Sequence, residues 1–450
     1  MHDLVVIGGG GAGLTAALTA KKLNWEANIT LISNTDVYYS PCALPFVISG
    51  EIPHFDNIIH NLKNLCEEIH INCVIDTAVE IDINRNIVKT ESGKEFGYKS
   101  LIIATGGIPR TLNIEGSKLD GIFTLQKIED AKRILERVKH SRRVAVIGGG
   151  AIGVEIASAL RKRCLEVTLI EKCDHLFPGS FDTDFSDIIR NALRDEGITI
   201  ITGRSVDKFV GDDYVEGVLI GNYKISVDMV VLGVGLKPNA VLAERAGIKT
   251  VNGAIQVDGW MQTNVKGVYA AGDCIFTKSL VTGRPTLSQL GTSAIRQGRV
   301  AGTNAVGGYA TIEGVLNSMI LKIFDLEMGR TGLTEKEAKE SGIEIITGKI
   351  KTTTKAPYFP GAEDIFVKLV FNKLNRKLIG AQIVGGGEGV ADKIDLCAFA
   401  IQNYSTMDDL MKLKYCYTPP LTPINNAIVD AAENAYRKLA RLKEIRRKSF

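Results

Sequence analysis

At 450 residues the chain is too long for a single core, and 45% hydrophobic with 23% charged side chains is ordinary for a globular protein. Lys and Arg number 54 against 51 Asp and Glu, a net charge of +3, which excludes a general nucleic-acid binder. No apolar run reaches the ~18 residues a membrane helix needs.

The N-terminus enters an apolar strand, Leu4 to Ile7, without a basic leader, so a cytoplasmic protein with reduced thiols is expected. That strand runs into a G-x-G-x-x-G turn at Gly8, Gly10 and Gly13, then a helix from Leu14 to Leu23 and a second strand from Ile29 to Ile32. On the helix, Thr15, Thr19 and Lys22 are spaced to share one face, with Lys21 adding charge beside them. Cys42 follows ten residues after Ile32, in Tyr38-Tyr-Ser-Pro-Cys-Ala-Leu-Pro45. The other seven cysteines show no C-x-x-C spacing and no zinc pattern, and read as structural thiols with no metal.

The whole unit recurs 140 residues later, with Gly148, Gly150 and Gly153 between a strand from Val144 and a helix from Val154 to Lys162. In such a turn the first glycine permits the bend, the second lets the backbone approach a pyrophosphate, and the third allows helix and strand to pack closely. After the second copy's next strand, Val167 to Ile170, comes Glu171, placed to accept ribose hydroxyls and repel a 2′-phosphate. NADH is therefore expected over NADPH, with the adjacent Lys172 keeping NADPH usable. In the first copy the corresponding position is the neutral Ser33. Beyond Gly307-Gly308 the glycine fingerprints stop, giving way to strands at Ile365 to Phe371 and Leu378 to Val384 and helices at Gly389 to Gln402 and Pro423 to Lys438.

Three further segments, Leu101-Ile-Ile-Ala-Thr-Gly-Gly107, Val231-Leu-Gly-Val-Gly-Leu-Lys-Pro-Asn239 and Val268-Tyr-Ala-Ala-Gly-Asp-Cys274, complete a resemblance to the pyridine nucleotide–disulfide oxidoreductases. It covers nearly the whole chain and is nearest to the single-cysteine branch of coenzyme A disulfide reductases, NAD(P)H sulfur or polysulfide reductases, and NADH oxidases and peroxidases. The resemblance implies an α/β fold: two Rossmann-like domains, for FAD (1–112 and 246–315) and NAD (113–245), and a C-terminal α+β dimerisation domain (316–450). It also implies a homodimer. Its FAD contacts would be Gly8, Gly10, Gly13, Ser33, Val79, Thr105, Gly106, Gly272, Asp273, Gly291 and Thr292, with Gly235 joining Gly148, Gly150, Gly153 and Glu171 around the nicotinamide nucleotide.

The same resemblance makes Cys42 the redox-active residue, beside the flavin at a helix N-terminus that favours thiolate. A two-cysteine member would need a partner five residues on, where Val47 stands, so Cys42 would cycle through a mixed disulfide, persulfide or sulfenic acid. The oxidases and peroxidases of that branch carry a His in the first glycine turn, and Gly11 occupies that place. Reduction of coenzyme A disulfide, coenzyme A persulfide or polysulfide is therefore expected. The alternatives are dioxygen reduction and service as an electron-transfer subunit of a larger complex. Tyr417, in Tyr415-Cys-Tyr-Thr-Pro-Pro420, and Tyr358, in Ala356-Pro-Tyr-Phe-Pro-Gly361, resemble tyrosines that reach the sulfur from the partner subunit, and the face of Thr15, Thr19 and Lys22 resembles a coenzyme A contact.

Overall fold

The computed structural model describes residues 1–448. Strand β1 (His2–Ile7), helix α1 (Gly11–Leu23) and strand β2 (Ile29–Ser33) form the first unit, β1 and β2 running parallel with Val5 opposite Thr30. After β2 come two short helices, α2 (Leu44–Ser49) and α3 (Leu62–Glu67), then β3 (Asn72–Ile75), which pairs on the outer edge of β2. Strand β4 (Glu95–Ile103) flanks β1 on the other side, and Val268–Ala270 returns from far along the chain to pair with β4. Leu4, Val5, Val6, Leu101, Ile102 and Ile103 are fully buried, the continuous apolar run of parallel strands covered on both faces.

The second unit repeats the first. Strand β5 (Arg143–Ile147), helix α4 (Ala151–Lys162) and strand β6 (Glu166–Ile170) lie in a five-stranded parallel sheet ordered Ile122–Thr124, Met229–Leu232, β5, β6, Thr199–Ile201. The C-terminal region is a five-stranded antiparallel sheet ordered Met319–Ile323, Leu326–Gly332, Leu378–Gly386, Asp364–Asn372, Ile345–Thr353, packed by helices Val390–Gln402 and Ala427–Lys448. This is the mixed α/β architecture the sequence predicts.

Element ends differ for local reasons. Both glycine-turn helices start three residues before the expected Leu14 and Val154, because Gly10 and Gly150 hold the extended N-cap position and the third glycine lies within the first turn. The last helix starts at Ala427 rather than Pro423, where Asn426 Oδ1 accepts from the backbone N–H of Ile428 at 2.9 Å.

The seam between the two nucleotide units positions the site. Leu44 and Ile48 of α2 are fully buried in the second unit's core, not the first's. Arg163 Nε donates to the Ile48 carbonyl at 2.7 Å, and Lys162 pairs with Glu51 at 2.8 Å. The C-terminal sheet is tied to the second unit by Lys368, 2% exposed, whose Nζ meets Asp182 at 3.1 Å, Asp184 at 2.6 Å and Glu335 at 2.9 Å.

Candidate functional site

The two glycine turns separate glycines the fold needs from glycines it does not. Gly8 and Gly148 have φ of +112° and +109°, and a Cβ on either would collide with the backbone of the neighbouring strand end, at Ala104 and Gly233. A Cβ on Gly13 or Gly153 would collide with the carbonyl of the first glycine of its own turn. Gly10 and Gly150 have ordinary φ of −77° and −84°, and a Cβ there meets nothing within 4 Å. The chain itself gives no reason for glycine at these two positions. Each opens a surface at a helix N-terminus, where unpaired N–H groups and the helix dipole suit a pyrophosphate.

Helix α5 (Gly291–Ala305) adds a second N-terminus at the first cradle. Gly298 and Gly302 approach α1 so closely that a Cβ on either would collide with the carbonyls of Ala12 and Ala16. The paired steps of four residues show that the two helices run parallel, with Gly291 and Thr292 at the glycine-turn end.

Between them lies Asp273, part-buried, with no hydrogen-bond or ion-pair partner among the described residues. Burial pushes its carboxyl up to about 6. Gln297, fully buried, accepts from the Gly272 N–H at 2.9 Å and leaves its own Nε2 unpartnered. An unpaired acceptor and an orphaned donor beside a pyrophosphate cradle fit the polyol chain and ring edge of FAD. Val79 stands where the register shifts between Ala78 and Glu80, which frees its backbone from the ladder. Ser33 is 2% exposed and its hydroxyl donates to the Thr35 carbonyl at 2.8 Å, so that group is already committed.

Thr105 and Gly106 meet the second unit's exit. The Thr105 hydroxyl donates to the Asn239 carbonyl at 2.6 Å, and Gly107–Pro109 pairs antiparallel with Leu236–Pro238, just past Gly235. Both units thus leave their sheets through one shared ribbon. At the second cradle the Glu171 carboxylate accepts from Gly149 N–H at 2.6 Å and from Cys173 N–H at 2.8 Å. It is 5% exposed, with Oε2 held by the glycine turn and Oε1 by the backbone two residues further on.

Cys42 sits in the short turn Pro41–Ala43 ahead of α2, on the seam. It is open to solvent, so a substrate can reach it, while the surrounding protein walls push its thiol up. Glu155 and Asp273 add to that rise, against the Ser40 hydroxyl and the local backbone, which lower it. Cys42 does stand in the first turn of a helical run, Pro41–Ala43 continuing into α2, but burial first, and then the charges of Glu155 and Asp273, push its thiol up, so the expected preference for thiolate is corrected here. The sequence reading missed Glu155. It lies two residues past Gly153 on the second turn of α4, and burial pushes its carboxyl up to about 7. With Pro45, Lys162 and Lys322 it lines a cavity of about 20 Å³, room for about one water.

Tyr358 and Tyr417 are brought together: their hydroxyls are 3.1 Å apart, and Ala356 N–H donates to the Pro419 carbonyl at 3.2 Å. Both are exposed, and neither is among the groups that set the Cys42 environment. Thr15 and Thr19 are half-buried and Lys22 exposed, all without a side-chain partner among the described residues. Lys21 is a correction: it is 6% exposed, donates to the Ala27 carbonyl at 3.0 Å and lies over Trp25, so it closes α1 and offers no charge to a ligand.

The pattern described as pyridine nucleotide-disulphide oxidoreductase matches residues 2–298, and that family's dimerisation-domain pattern matches residues 319–428. An NADH oxidase of Methanocaldococcus jannaschii is 40% identical, covering 97% of this chain and 99% of its own. A CoA-dependent NAD(P)H sulfur oxidoreductase of Pyrococcus abyssi is 34% identical, covering 95% and 96%. The solved NAD-dependent persulfide reductase of A. fulgidus superposes with a TM-score of 0.95 at 36% identity, covering 98% of this chain and 84% of that one. The two cradles, the lone seam cysteine and these matches place the chain in the pyridine nucleotide-disulphide oxidoreductase family, whose members use FAD with NADH or NADPH.

Proposed function

We propose that this protein uses NADH to reduce the sulfur–sulfur bond of a small disulfide, persulfide or polysulfide, coenzyme A derivatives included, at Cys42. The observation that carries this reading is a solvent-open cysteine on the seam between two dinucleotide cradles, with Val47 where a second redox cysteine would stand. FAD, when bound, supplies the transfer of an electron pair from nicotinamide to sulfur.

The Cys42 thiolate attacks the substrate R–S–S–R, forming Cys42–S–S–R and releasing RS⁻. Addition of two electrons splits this mixed disulfide, restoring the thiolate and releasing a second RS⁻. One proton per turnover enters with NADH, giving NADH + H⁺ + RSSR → NAD⁺ + 2 RSH. Glu155, with its carboxyl near 7, can hold that proton behind Cys42. The Tyr358–Tyr417 pair serves the Cys42 of a second copy of the chain, giving a homodimer, with Tyr417 donating to the departing thiolate. Glu171 receives the adenosine ribose, and the face of Thr15, Thr19 and Lys22 holds the phosphates of a coenzyme A substrate. In this reading FAD occupies residues 1–112 and 246–315, the nicotinamide nucleotide 113–245, and the dimer contact 316–450, in a cytoplasmic enzyme.

The test is anaerobic NADH oxidation by coenzyme A disulfide and by polysulfide, set against oxygen uptake in air. Turnover that survives Cys42→Ser would reject the proposal. Dioxygen reduction is the second reading, favoured by the name of the 40% identical relative. Oxygen uptake faster than either sulfur reaction would establish it.

A further inference from the structure

The two cradles differ in charge at one place where their folds coincide. In each unit the strand after the glycine-turn helix leads to the ribose position, Ser33 or Glu171, and the next parallel strand sends its loop back onto it. Asp76 N–H donates to the Ser33 carbonyl at 2.8 Å, and Arg204 N–H donates to the Glu171 carbonyl at 3.2 Å. Asp76 and Arg204 are thus counterparts, an anion beside the first ribose position and a cation beside the second.

The anion is committed: the Asp76 carboxylate accepts from Thr77 N–H at 2.8 Å and from the Ser92 hydroxyl. The cation is not. Arg204 and Lys172 are both exposed, and neither side chain has a hydrogen-bond or ion-pair partner among the described residues. Their loops are pinned together, because Gly203, at φ +70°, donates its N–H to the Cys173 carbonyl at 2.6 Å while Arg204 holds Glu171. Lys172 lies between these two attachment points. Of the acids nearby, Glu171 spends both oxygens on backbone N–H groups, and Asp174 is engaged by His175.

We propose that Arg204, with Lys172 beside it, binds the 2′-phosphate of NADPH, so that the second cradle takes NADPH as well as NADH. This rests on the reading of that cradle as the nicotinamide nucleotide site and names the residue that sets its specificity. NADPH differs from NADH only in one phosphate on the adenosine ribose, carrying about two negative charges at neutral pH. Dinucleotides lie across the carboxyl ends of parallel strands, and both pinned loops leave from those ends. A phosphate on the hydroxyl next to Glu171 turns away from the carboxylate, towards the loop that carries the two free cations. The planar guanidinium can meet it with two parallel hydrogen bonds, and the ammonium adds a point charge. The first cradle, with Ser33 and Asp76 in these places, offers such a phosphate nothing.

The test is titration calorimetry on the FAD-loaded enzyme with adenosine 2′,5′-bisphosphate and adenosine 5′-monophosphate. Wild type should bind the bisphosphate more tightly, and Arg204→Ala should cut that preference about 10-fold, the lower end of what a charge-assisted hydrogen bond supplies. Arg204→Lys, which keeps the charge and loses the fork, should fall between them. The ratio of kcat/KM for NADPH to that for NADH should drop in parallel, followed with ferricyanide as acceptor so that Cys42 takes no part. A wild type with no preference for the bisphosphate, or a preference unchanged in Arg204→Ala, overturns the proposal. If neither adenosine ligand binds, the assignment of the cradle itself falls, and the proposal with it.

Discussion

The hydroxyls of Tyr358 and Tyr417 lie 3.1 Å apart although 59 residues separate them in sequence. The hydrogen bond between them pushes the Tyr417 hydroxyl up, holding it protonated over a wide pH range and suited to giving a proton to a leaving thiolate. Tyr417→Phe should lower kcat for disulfide reduction about 100-fold, the lower end of what a general acid supplies. Tyr358→Phe removes the bond that raises Tyr417, so the alkaline limb of the pH–rate profile should move to lower pH with a smaller loss of kcat. Steady-state profiles of both variants check this, and an unchanged kcat in Tyr417→Phe would remove the tyrosine from the chemistry.

Glu171 carries two tasks that substitution can separate. Its carboxylate satisfies two backbone N–H groups, Gly149 and Cys173, in a buried place. Glu171→Ala leaves both unpaired at a cost of about 1–3 kcal/mol each, read as a lower Tm. It also removes the charge that would repel a 2′-phosphate, so kcat/KM for NADH should fall at least 10-fold, by about 1.4 kcal/mol of ribose binding lost, while that for NADPH falls less or rises. An unchanged NADH to NADPH ratio would take Glu171 out of nucleotide selection.

Glu155 raises the pH at which Cys42 becomes nucleophilic. Burial is the main cause of the high Cys42 thiol, and the negative charge of Glu155 is the next. Glu155→Gln removes that charge, so the Cys42 thiolate should form at lower pH. Iodoacetamide alkylation of Cys42 followed against pH should show its midpoint shifted downward in the variant. An unmoved midpoint would mean that the carboxylate does not reach the sulfur.

What the sequence made legible was periodic or spaced. The two glycine turns and their strands can be read because each glycine answers a local backbone demand, and Gly10 and Gly150 stand out in three dimensions as the positions with no such demand. Both tyrosine segments can be found from their prolines, yet their 3.1 Å approach depends on two loops meeting, joined by the Ala356 N–H on the Pro419 carbonyl. Glu155 was illegible because it lies in an ordinary helical repeat, and its meaning comes from α2 packing across the seam. Lys21 and Lys22 look alike in sequence, and only the Ala27 carbonyl and Trp25 distinguish the buried one. The raised thiol of Cys42 could not be read from the residues around it, since burial in the folded chain and, after it, the charges at positions 155 and 273 push it up.

Asp273 ties the stability of the FAD-free protein to pH. Its carboxyl sits near 6 in the fold because burial penalises the charge, against about 3.9 in an unfolded chain. Between those values the folded chain holds a proton that the unfolded chain has lost, so in FAD-free protein Asp273 costs stability as pH rises from about 4 to about 6. Above 6 the cost is fully present; below 4 it vanishes. Asp273→Asn carries no charge to bury, so the stripped variant should melt at a higher temperature than stripped wild type at pH 8, with the gap narrowing as pH falls to 5. With FAD present the order should reverse, because the acceptor that holds the cofactor's hydroxyl is weakened and FAD dissociates more readily. Melting curves of stripped and loaded protein at both pH values test the pair of effects. Asp273→Asn that stabilised the loaded enzyme as much as the stripped one would show that this carboxylate does not touch FAD.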